Sequence, residues 1–390
     1  MSAEAARPDR EPEPLRVAHM VWGAGIGGIE RFVTDLARVQ ASVLGMQVSV
    51  LACGAQAADH SLARYVSPGV AVYAGGLRSG VDQRLRRLIA MGDELPKVDV
   101  IHLHGYNPVM GLLTRRAGLP VVFTEHGMLG LDCRPVSRES LKQVAKARYL
   151  RHGVSVIACV SEWVAAAAQP RYGIDGSRIR VVPDGVDFAR IRAERERHEV
   201  LLAEAVDPSA CVVVVAARLA EVKAIDRLFG AAAQLRVGGR EWVLLVVGGG
   251  PLEEHLRERA MALGIRANVR FLGFRERVWD LIGAADVVVL PSKRESFGLA
   301  VVEAMALGRP VIAFADSGGP AEIIREVGGG SLVDSVEDLG ATLEQFRVGG
   351  TPERWRPLDS TRLRTSFSVE RSARMYGDLY DVALSRESGG

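Results

Sequence analysis

The chain has 390 residues, of which 48% are hydrophobic and 25% are charged, and its formal net charge is +2. This length is long for one hydrophobic core and suits two α/β domains of roughly 100–200 residues each. The small net charge argues against a polybasic nucleic-acid-binding protein, and the low aromatic content of 6% argues against a base-stacking platform.

The four cysteines are scattered, and no two of them form a C-x-x-C pair: Cys53, Cys133, Cys159 and Cys211. This spacing favours neither a zinc site nor a disulfide framework. Cys53, Cys159 and Cys211 fall in apolar strand-like runs and are predicted to be inert core residues. We therefore expect a reduced, cytoplasmic protein.

Residues 1–14 are charged and proline-rich, and they lack the apolar segment of a signal peptide. We interpret them as a disordered lead-in. Elsewhere, no apolar run approaches the roughly 18–20 residues that a membrane-spanning helix needs.

Strand-like and helix-like segments alternate through the first half of the chain, which is typical of parallel sheets. The predicted strands are Arg16–Val21, Gln47–Ala52, Val98–Leu103, Pro120–Thr124 and Val154–Val160. The predicted helices include Ile29–Ser42, Asp82–Met91 and Glu139–His152. Together they predict a doubly wound domain over residues 15–187.

The same alternation restarts in the second half. The predicted strands are Ala210–Ala217, Glu241–Val247, Val269–Phe274, Asp286–Leu290 and Val311–Phe314. The predicted helices are Phe188–Ala205, Ala224–Leu235, Pro251–Leu263, Arg277–Ala284, Gly298–Leu307 and Ser368–Leu384. They predict a second doubly wound domain over 188–367 and a C-terminal helical segment over 368–390, with a cleft between the domains.

Two glutamates bracket the most informative stretch, E-S-F-G-L-A-V-V-E, which runs from Glu295 to Glu303. A strand-like run precedes it, and Gly308 and Pro310 are typical residues at which a helix stops. Glu295 is therefore predicted in the turn before a short helix, and Glu303 about two turns inside it. Because ionised carboxylates are rarely buried without a partner, and open α/β sheets bind ligands at their carboxyl edge, we predict a ligand site here.

A glycine-rich loop follows the first predicted strand. Gly23, Gly25 and Gly28 match the G-x-G-x-x-G fingerprint of dinucleotide-binding loops. An NAD site would also need an acid at the end of the second strand, which instead ends at Cys53. We prefer a loop that holds another phosphate at a helix N-terminus, and a tight turn without a ligand is the alternative.

Two cations follow the first strand of the second half, namely Arg218 and, five residues later, Lys223. An arginine can hold two phosphate oxygens and a lysine acts as a mobile point charge, so the pair would suit a diphosphate. The alternative is a surface ion pair with Glu221 or Asp226.

Histidines lie at the ends of two predicted strands: His102 and His104 close one, and His126 follows the next. A histidine there can hydrogen-bond a ligand hydroxyl or move a proton, and Gly127 leaves space beside His126. The alternative is a structural histidine. Strand alternation puts His102 and His104 on one face, but no third metal ligand is evident and no D-x-D pair occurs, so no metal site is predicted.

The predicted helix around residues 138–152 is basic, with apolar residues among its cations: Arg138, Leu141, Lys142, Val144, Ala145, Lys146, Arg148, Tyr149 and Arg151. One interpretation is a solvated helix face. The other is contact with an anionic membrane surface, which would place the protein at the inner face of the membrane.

Taken together, these motifs resemble the retaining glycosyltransferases of family 4, the glycosyl transferases group 1, over nearly all of Leu15–Leu384. The most specific part is E-x7-E, followed by A-M-A-L-G-R-P-V-I-A at Ala304–Ala313. Other matching stretches are Gly27–Glu30, Arg218 with Lys223, Gly248–Pro251, Val269–Gly273 and Gly318–Glu322. The chain departs from the family at Asp184, where Asn is common.

The resemblance implies the GT-B fold, in which two Rossmann-like domains face a central cleft. It also implies transfer of a sugar from a UDP- or GDP-sugar to an acceptor hydroxyl, with retention of configuration, in polysaccharide, glycolipid or glycoconjugate biosynthesis. The nucleotide sugar would be a co-substrate, and neither a resident cofactor nor a metal nor a nucleic-acid partner is implied.

The resemblance also implies residue roles. Arg218 and Lys223 would hold the donor diphosphate, Glu295 would contact the donor sugar, and His126 would contact the sugar near the reacting carbon. Glu303 would accept hydrogen bonds from the ribose, and the other donor contacts would be Gly27, Gly28, Phe274, Phe297, Gly298 and Leu299. The C-terminal helix would cross back to the first domain.

Other functions stay open. A GT-B sugar-nucleotide epimerase or phosphorylase would act without an external acceptor or with phosphate as the acceptor. A non-catalytic partner of another transferase would not need the candidate residues, all of which are present. An NAD-dependent dehydrogenase rests on the glycine loop alone.

Overall fold

We describe a computed structural model of the chain at residues 13–22, 27–54, 66–74, 97–127, 138–235, 240–350, 352 and 355–387. The described residues divide into two compact units. The first unit lies within Met1–Thr124, Arg134–Ile157 and Ala373–Gly390, and the second within Glu125–Cys133 and Ala158–Ser372.

The first sheet contains seven strands: β1 (Arg16–Val21), β2 (Gln47–Ala52), β3 (Ala71–Ala74), β4 (Val100–His104), β5 (Val121–Glu125), β6 (Val156–Cys159) and β7 (Ile179–Val181). Their order is β3-β2-β1-β4-β5-β6-β7. The pairs β1–β2, β1–β4, β2–β3 and β4–β5 are parallel. The chain order reverses between β1 and β4, which makes this the topological switch point of the sheet.

The helices that alternate with these strands are α1 (Gly28–Ser42), α2 (Pro108–Ala117), α3 (Arg138–His152) and α4 (Glu162–Tyr172). In α1 the buried residues Phe32, Leu36 and Val39 recur at helical spacing and form its inward face. The side chain of Ser161 caps the N-terminus of α4, and Gly173 ends that helix in the left-handed conformation.

The second sheet contains β8 (Cys211–Ala216), β9 (Trp242–Val247), β10 (Val269–Gly273), β11 (Val287–Leu290), β12 (Val311–Phe314) and β13 (Gly330–Val333). Its order is β10-β9-β8-β11-β12-β13, and all its neighbouring strands are parallel. This order repeats that of the first sheet, so the switch point lies between β8 and β11. The two parallel sheets confirm the predicted α/β class of two Rossmann-like domains.

The helices in the second part of the chain are α5 (Arg197–Ala203), α6 (Ile225–Ala232), α7 (Glu253–Ala262), α8 (Val278–Gly283), α9 (Leu299–Ala306), α10 (Gly319–Val327), α11 (Val336–Arg347), α12 (Ser360–Phe367) and α13 (Val369–Glu387). The valine runs of β8 and β11 are buried, as expected for strands that helices cover on both faces. Phe229 and Leu228 of α6 pack against them in one apolar cluster.

All ten predicted strands are present, with bounds that shift by no more than two residues at either end. The prediction missed β3, β7 and β13, which are only three or four residues long. The predicted helix Phe188–Ala205 is wrong, since only Arg197–Ala203 is helical. One reason is that Asp187 Oδ1 accepts a hydrogen bond from the Ala189 amide, a local turn that competes with a helix. The predicted helix Asp82–Met91 lies outside the described residues.

Cys53, Cys159 and Cys211 are buried, as predicted. Burial raises the pKa of Cys53 to about 12 and that of Cys211 to about 11, which keeps both as unreactive thiols. Cys133 lies outside the described residues. Among the described helices, none has both the length and the hydrophobicity needed to cross a bilayer.

Candidate functional site

Two predicted site residues pair at the switch point of the second sheet. Lys223 lies in the short 3-10 turn after β8, and Glu295 lies in the loop after β11, which is paired with β8. The Lys223 ammonium donates a hydrogen bond to Glu295 Oε2, and Ser292 Oγ donates to the same oxygen at 3.2 Å. The parallel topology therefore brings together groups that are 72 residues apart.

This pairing differs from the surface ion pair considered for the two cations. Lys223 contacts Glu295 rather than Glu221 or Asp226. Arg218 is exposed at the end of β8 and forms no ion pair with any other described residue.

The backbone of Glu295 is held by the loop that follows β12. Its amide donates to the Ser317 carbonyl at 2.8 Å, and the Gly319 amide donates to the Glu295 carbonyl at 2.9 Å. A Cβ atom on Gly319 would lie 2.5 Å from Phe297 Cα, so only glycine permits this approach. The loops after β11 and β12 therefore act as one support for Glu295.

The N-terminus of α9 opens in the same loop as Glu295. Gly298 precedes the helix with φ of 100°, and a Cβ atom there would lie 2.9 Å from Pro320 Cγ. Phe297 is buried edge-on against Phe367, with ring centroids 5.6 Å apart. The first amides of a helix have no partner inside the helix and carry positive potential, so this end of α9, from Leu299 onward, suits an anion.

Glu303 lies within α9 and is only 9% exposed. The Trp279 indole N–H, from α8, donates a hydrogen bond to Glu303 Oε1 at 3.1 Å. Sequence reasoning missed Trp279, because a tryptophan in a short amphipathic helix looks like an ordinary core residue. The structure thus gives the buried carboxylate a neutral donor.

At the end of β10, Gly273 adopts a left-handed conformation with φ of 66°, and its carbonyl accepts a hydrogen bond from the Gly248 amide at 2.8 Å. The next residue, Phe274, is 60% exposed. An exposed ring beside a tight strand end is compatible with the predicted contact to a nucleobase, which stays a prediction.

His126 follows β5 and forms a buried pair with Asp184, which follows β7. The distance from His126 Nδ1 to Asp184 Oδ2 is 3.3 Å, and the two side chains are 2% and 7% exposed. Sequence reasoning singled out His126 but saw Asp184 only as a departure from the family pattern.

Gly27 and Gly28 lie in the first unit, at the start of α1. The Gly27 amide donates to Glu30 Oε2 at 3.1 Å, and a Cβ atom on Gly27 would lie 2.7 Å from that oxygen. Gly23 and Gly25, the first two glycines of the fingerprint, lie outside the described residues. The predicted phosphate contact of this loop stays a prediction.

His102 and His104 have a third histidine beside them, contrary to the expectation from sequence. His19 lies opposite His102 in the β1–β4 register, and the three side chains offer ring nitrogens within 4.8 Å of one another. All three are buried. The signal was present in the sequence of β1, but strand pairing was needed to identify it.

A hydrogen-bonded network accounts for the burial of this histidine cluster. His102 Nδ1 lies 2.8 Å from the Tyr380 hydroxyl and its Nε2 lies 2.7 Å from Thr124 Oγ1. His19 contacts His104 at 2.9 Å and Gln40 at 2.7 Å. Because these ring nitrogens are engaged with neighbouring side chains, we assign the cluster a structural role.

Glu322, which the sequence presented only as part of a motif, supports the N-terminus of α4. Its carboxylate accepts hydrogen bonds from the amides of Trp163 at 2.6 Å and Glu162 at 3.1 Å. Burial raises the pKa of Glu322, and these two amides oppose that rise. The same helix end also carries the Ser161 cap, so its first amides are well satisfied.

Two family models match the chain. The model described as Glycosyl transferases group 1 matches residues 203–348, and the model described as Glycosyltransferase Family 4 matches residues 26–190. The two matches fall on the two halves of the chain.

Curated relatives and solved structures agree with these matches. The D-inositol 3-phosphate glycosyltransferase of Rhodococcus erythropolis (strain PR4 / NBRC 100887) is 31% identical over 378 residues, which cover 89% of this chain and 84% of that protein. The crystal structure of Anabaena Alr3699/HepE in complex with UDP-glucose matches with a TM-score of 0.76 at 19% identity, covering 94% of this chain and 99% of that one. Sucrose-phosphate synthase from Thermosynechococcus elongatus matches with a TM-score of 0.75 at 19% identity, covering 95% of this chain and 100% of that one. The solved structures have the same fold, and the curated relative is 31% identical over most of the chain. This chain therefore belongs to the glycosyl transferases group 1 family, the family 4 glycosyltransferases of GT-B fold.

Proposed function

We propose that this glycosyltransferase moves a sugar from a nucleotide-diphosphate sugar to an acceptor hydroxyl with retention of configuration. The observation that carries the proposal is the Lys223–Glu295 pair at the switch point of the second sheet, beside the N-terminus of α9. Open α/β sheets bind their ligands at this position.

The donor diphosphate binds to the cations after β8 and to the amides that open α9. Arg218 is exposed and can reach an anion, and Lys223 already lies in the loop that faces Glu295. Departure of the diphosphate builds negative charge, and fixed donors aimed at that charge are a large source of rate enhancement. Two cations and a helix N-terminus supply such donors without a metal.

Glu303 and Glu295 have separate tasks in this proposal. Glu303, held by Trp279 inside the second unit, accepts hydrogen bonds from the ribose of the donor. Glu295, held by Lys223 and Ser292, contacts hydroxyls of the sugar that is moved. The acceptor hydroxyl then attacks the face that the diphosphate leaves, and a donor phosphate oxygen takes its proton, so the configuration is retained.

The similar proteins support a first choice of donor and acceptor to test. Anabaena Alr3699/HepE has been crystallised with UDP and with UDP-glucose. The Rhodococcus relatives are D-inositol 3-phosphate glycosyltransferases. We therefore propose a UDP-sugar as donor, ahead of a GDP-sugar, and a phosphorylated polyol as the first acceptor to test, within glycoconjugate biosynthesis.

A donor screen by thermal shift with UDP- and GDP-sugars tests the proposal, because a ligand that binds only the folded protein raises its Tm. Turnover is then measured with D-inositol 3-phosphate as acceptor, and NMR reports the anomeric configuration of the product. Product without an external acceptor would indicate an epimerase, and the absence of both binding and turnover with every nucleotide sugar would refute the proposal.

Removal of either cation is expected to lower turnover while the protein stays folded. Arg218→Ala and Lys223→Ala should each reduce kcat/KM on the order of a hundredfold, because each removes a donor aimed at the leaving group. Arg270→Ala is the matched control, since among the described residues its side chain donates a hydrogen bond to the nearby Ala267 carbonyl. Wild-type turnover in both variants would contradict the diphosphate role.

The proposal includes contact of α3 with an anionic membrane surface at the inner face. Leu141 and Val144 are 70% and 65% exposed on this helix, and Lys142 and Arg148 are exposed beside them. Apolar residues flanked by cations are typical of helices that lie in the interface of an anionic bilayer.

A further inference from the structure

His126 and Asp184 form a buried polar contact between an imidazole and a carboxylate. His126 directly follows β5, Asp184 lies three residues after the end of β7, and both belong to the second unit. The 3.3 Å contact joins Nδ1 of the ring to one carboxylate oxygen, and both side chains are more than nine-tenths buried.

The second carboxylate oxygen of Asp184 lies in a different environment from the oxygen that contacts His126. Asp184 Oδ1 is buried and has no hydrogen-bond partner among the described residues. An ionised carboxylate in such a place is costly unless a donor compensates it. Among the described residues, the imidazole of His126 is therefore the side chain that offers a hydrogen bond to the Asp184 carboxylate.

The backbone beside His126 is anchored independently of Asp184. Glu125 Oε1 accepts a hydrogen bond from the Gly127 amide at 3.3 Å, and Glu125 Oε2 accepts one from the Tyr172 hydroxyl at 3.1 Å. Glu125 thus fixes the chain on both sides of His126, and Asp184 acts on the ring itself.

We propose that Asp184 is a positioning residue that fixes the orientation and the tautomer of His126 for contact with the donor sugar. This inference rests on the proposed function for the role of His126, and the Asp184–His126 contact stands without it. An ionised carboxylate only accepts hydrogen bonds, so it keeps the proton on Nδ1. Nε2 is then the accepting atom of the neutral ring and a donor in the protonated ring.

An asparagine at position 184 could not impose this tautomer. Its side chain offers both an accepting oxygen and a donating NH₂ group, so either nitrogen of His126 could carry the proton. Asp184→Asn therefore removes the charge and the tautomer selection while it preserves the size of the side chain.

The kinetic test is a double-mutant cycle with Asp184→Asn, His126→Gln and the double variant, measured with the UDP-sugar that the donor screen identifies. Asp184→Asn should lower kcat roughly tenfold to a hundredfold, as is usual for a partner that orients a functional histidine. UDP, which lacks the sugar, should bind with unchanged Kd. In the His126→Gln background Asp184→Asn should have no further effect, because Asp184 acts through His126.

Asp187→Asn is the matched control. Asp187 is 7% exposed in the same segment, and its carboxylate accepts from the Ala189 amide. Its kcat should match that of the wild type. Independent, multiplying losses in the double variant, or an equal fall in UDP affinity, would overturn the positioning role.

A second readout does not depend on activity. In protein labelled with ¹⁵N-histidine, the His126 signals, assigned by their loss in His126→Gln, should show a proton on Nδ1 in the wild type and a mixed or reversed tautomer in Asp184→Asn. An unchanged signature in Asp184→Asn would overturn the inference even if transfer is observed. The expected signature in a protein that transfers no sugar would instead count against the proposed function alone.

Discussion

Trp279 supplies a hydrogen-bond donor to the buried carboxylate of Glu303. Its indole N–H donates to one carboxylate oxygen at 3.1 Å. A neutral donor compensates part of the cost of burying a carboxylate and restricts its rotamer, yet adds no charge that would compete with a ligand. In the proposed function, Trp279 therefore holds Glu303 in the orientation that accepts the ribose hydroxyls.

Trp279→Phe should raise KM for the UDP-sugar by about tenfold and leave kcat nearly unchanged, since a hydrogen bond to a charged group contributes about 1.5–3 kcal/mol. Glu303→Gln should act in the same direction, whereas Glu295→Gln should mainly lower kcat. Steady-state kinetics with varied donor concentration measure both effects. Trp355→Phe, a change to an indole that packs on Phe346, serves as the control. A fall in kcat at constant donor KM in Trp279→Phe would show that Trp279 does not act through Glu303.

At the scale of single elements, α3 differs between its two faces. Tyr149 and Leu150 are buried, whereas Leu141, Val144 and Arg148 recur on the exposed side. A helix face that only contacts solvent is usually polar, whereas this face carries an exposed leucine and an exposed valine among its cations. The proposed membrane contact of this helix follows from that pattern.

The double variant Leu141→Ser/Val144→Ser should lose most binding to vesicles that contain phosphatidylglycerol, because it removes the apolar area that enters the interface. Arg148→Gln should weaken binding about fivefold, since one cation near an anionic surface contributes about 1 kcal/mol. Vesicle sedimentation measures both changes. Val348→Ser, at an equally exposed valine of the second unit, should bind like the wild type. Equal binding of the wild type to purely zwitterionic vesicles would contradict the electrostatic part.

At the scale of the whole molecule, the histidine cluster joins distant parts of the chain within the first unit. His19 of β1 contacts Gln40 of α1, and the Gln40 amide donates to the Tyr380 hydroxyl of α13 at 2.9 Å. The same hydroxyl contacts His102 of β4. The C-terminal helix is thus tied to the sheet by a buried polar network, which makes the first unit sensitive to protonation.

The stability of the protein should fall as the pH is lowered, with a contribution from His19. Burial lowers the pKa of His19 to about 4. The ordinary pKa of histidine is about 6.5, so below that pH His19 binds a proton in the unfolded chain. In the folded chain His19 stays neutral until the pH nears 4. This contribution is full above pH 6.5 and is lost toward pH 4, and it amounts to roughly 3 kcal/mol at most.

Urea unfolding between pH 7.5 and pH 5 measures this effect. His19→Gln should be less stable at pH 7.5 but should lose less stability on acidification than the wild type. His198→Gln changes an exposed histidine and should keep the wild-type slope. A wild-type slope in His19→Gln would mean that other groups cause the pH dependence.

Much of the fold could be predicted from the chain alone, because the deciding signals are local. The valine runs of β8 and β11 and the helical spacing of Phe32, Leu36 and Val39 require only neighbouring residues. Short edge strands such as β3 carry too few residues for a clear pattern, and the charge of residues 188–196 resembled a solvated helix although a turn at Asp187 prevents one.

The sequence by itself determined the α/β class, the family and the candidate residues Arg218, Lys223, Glu295, Glu303 and His126, since these depend on residue types at fixed spacing along the chain. Only the tertiary structure decided their partners. Glu303 with Trp279, His126 with Asp184 and His19 with His104 are 24, 58 and 85 residues apart. Parallel crossovers bring such residues to one sheet edge or one buried layer, and no local pattern records which of many polar residues will meet there.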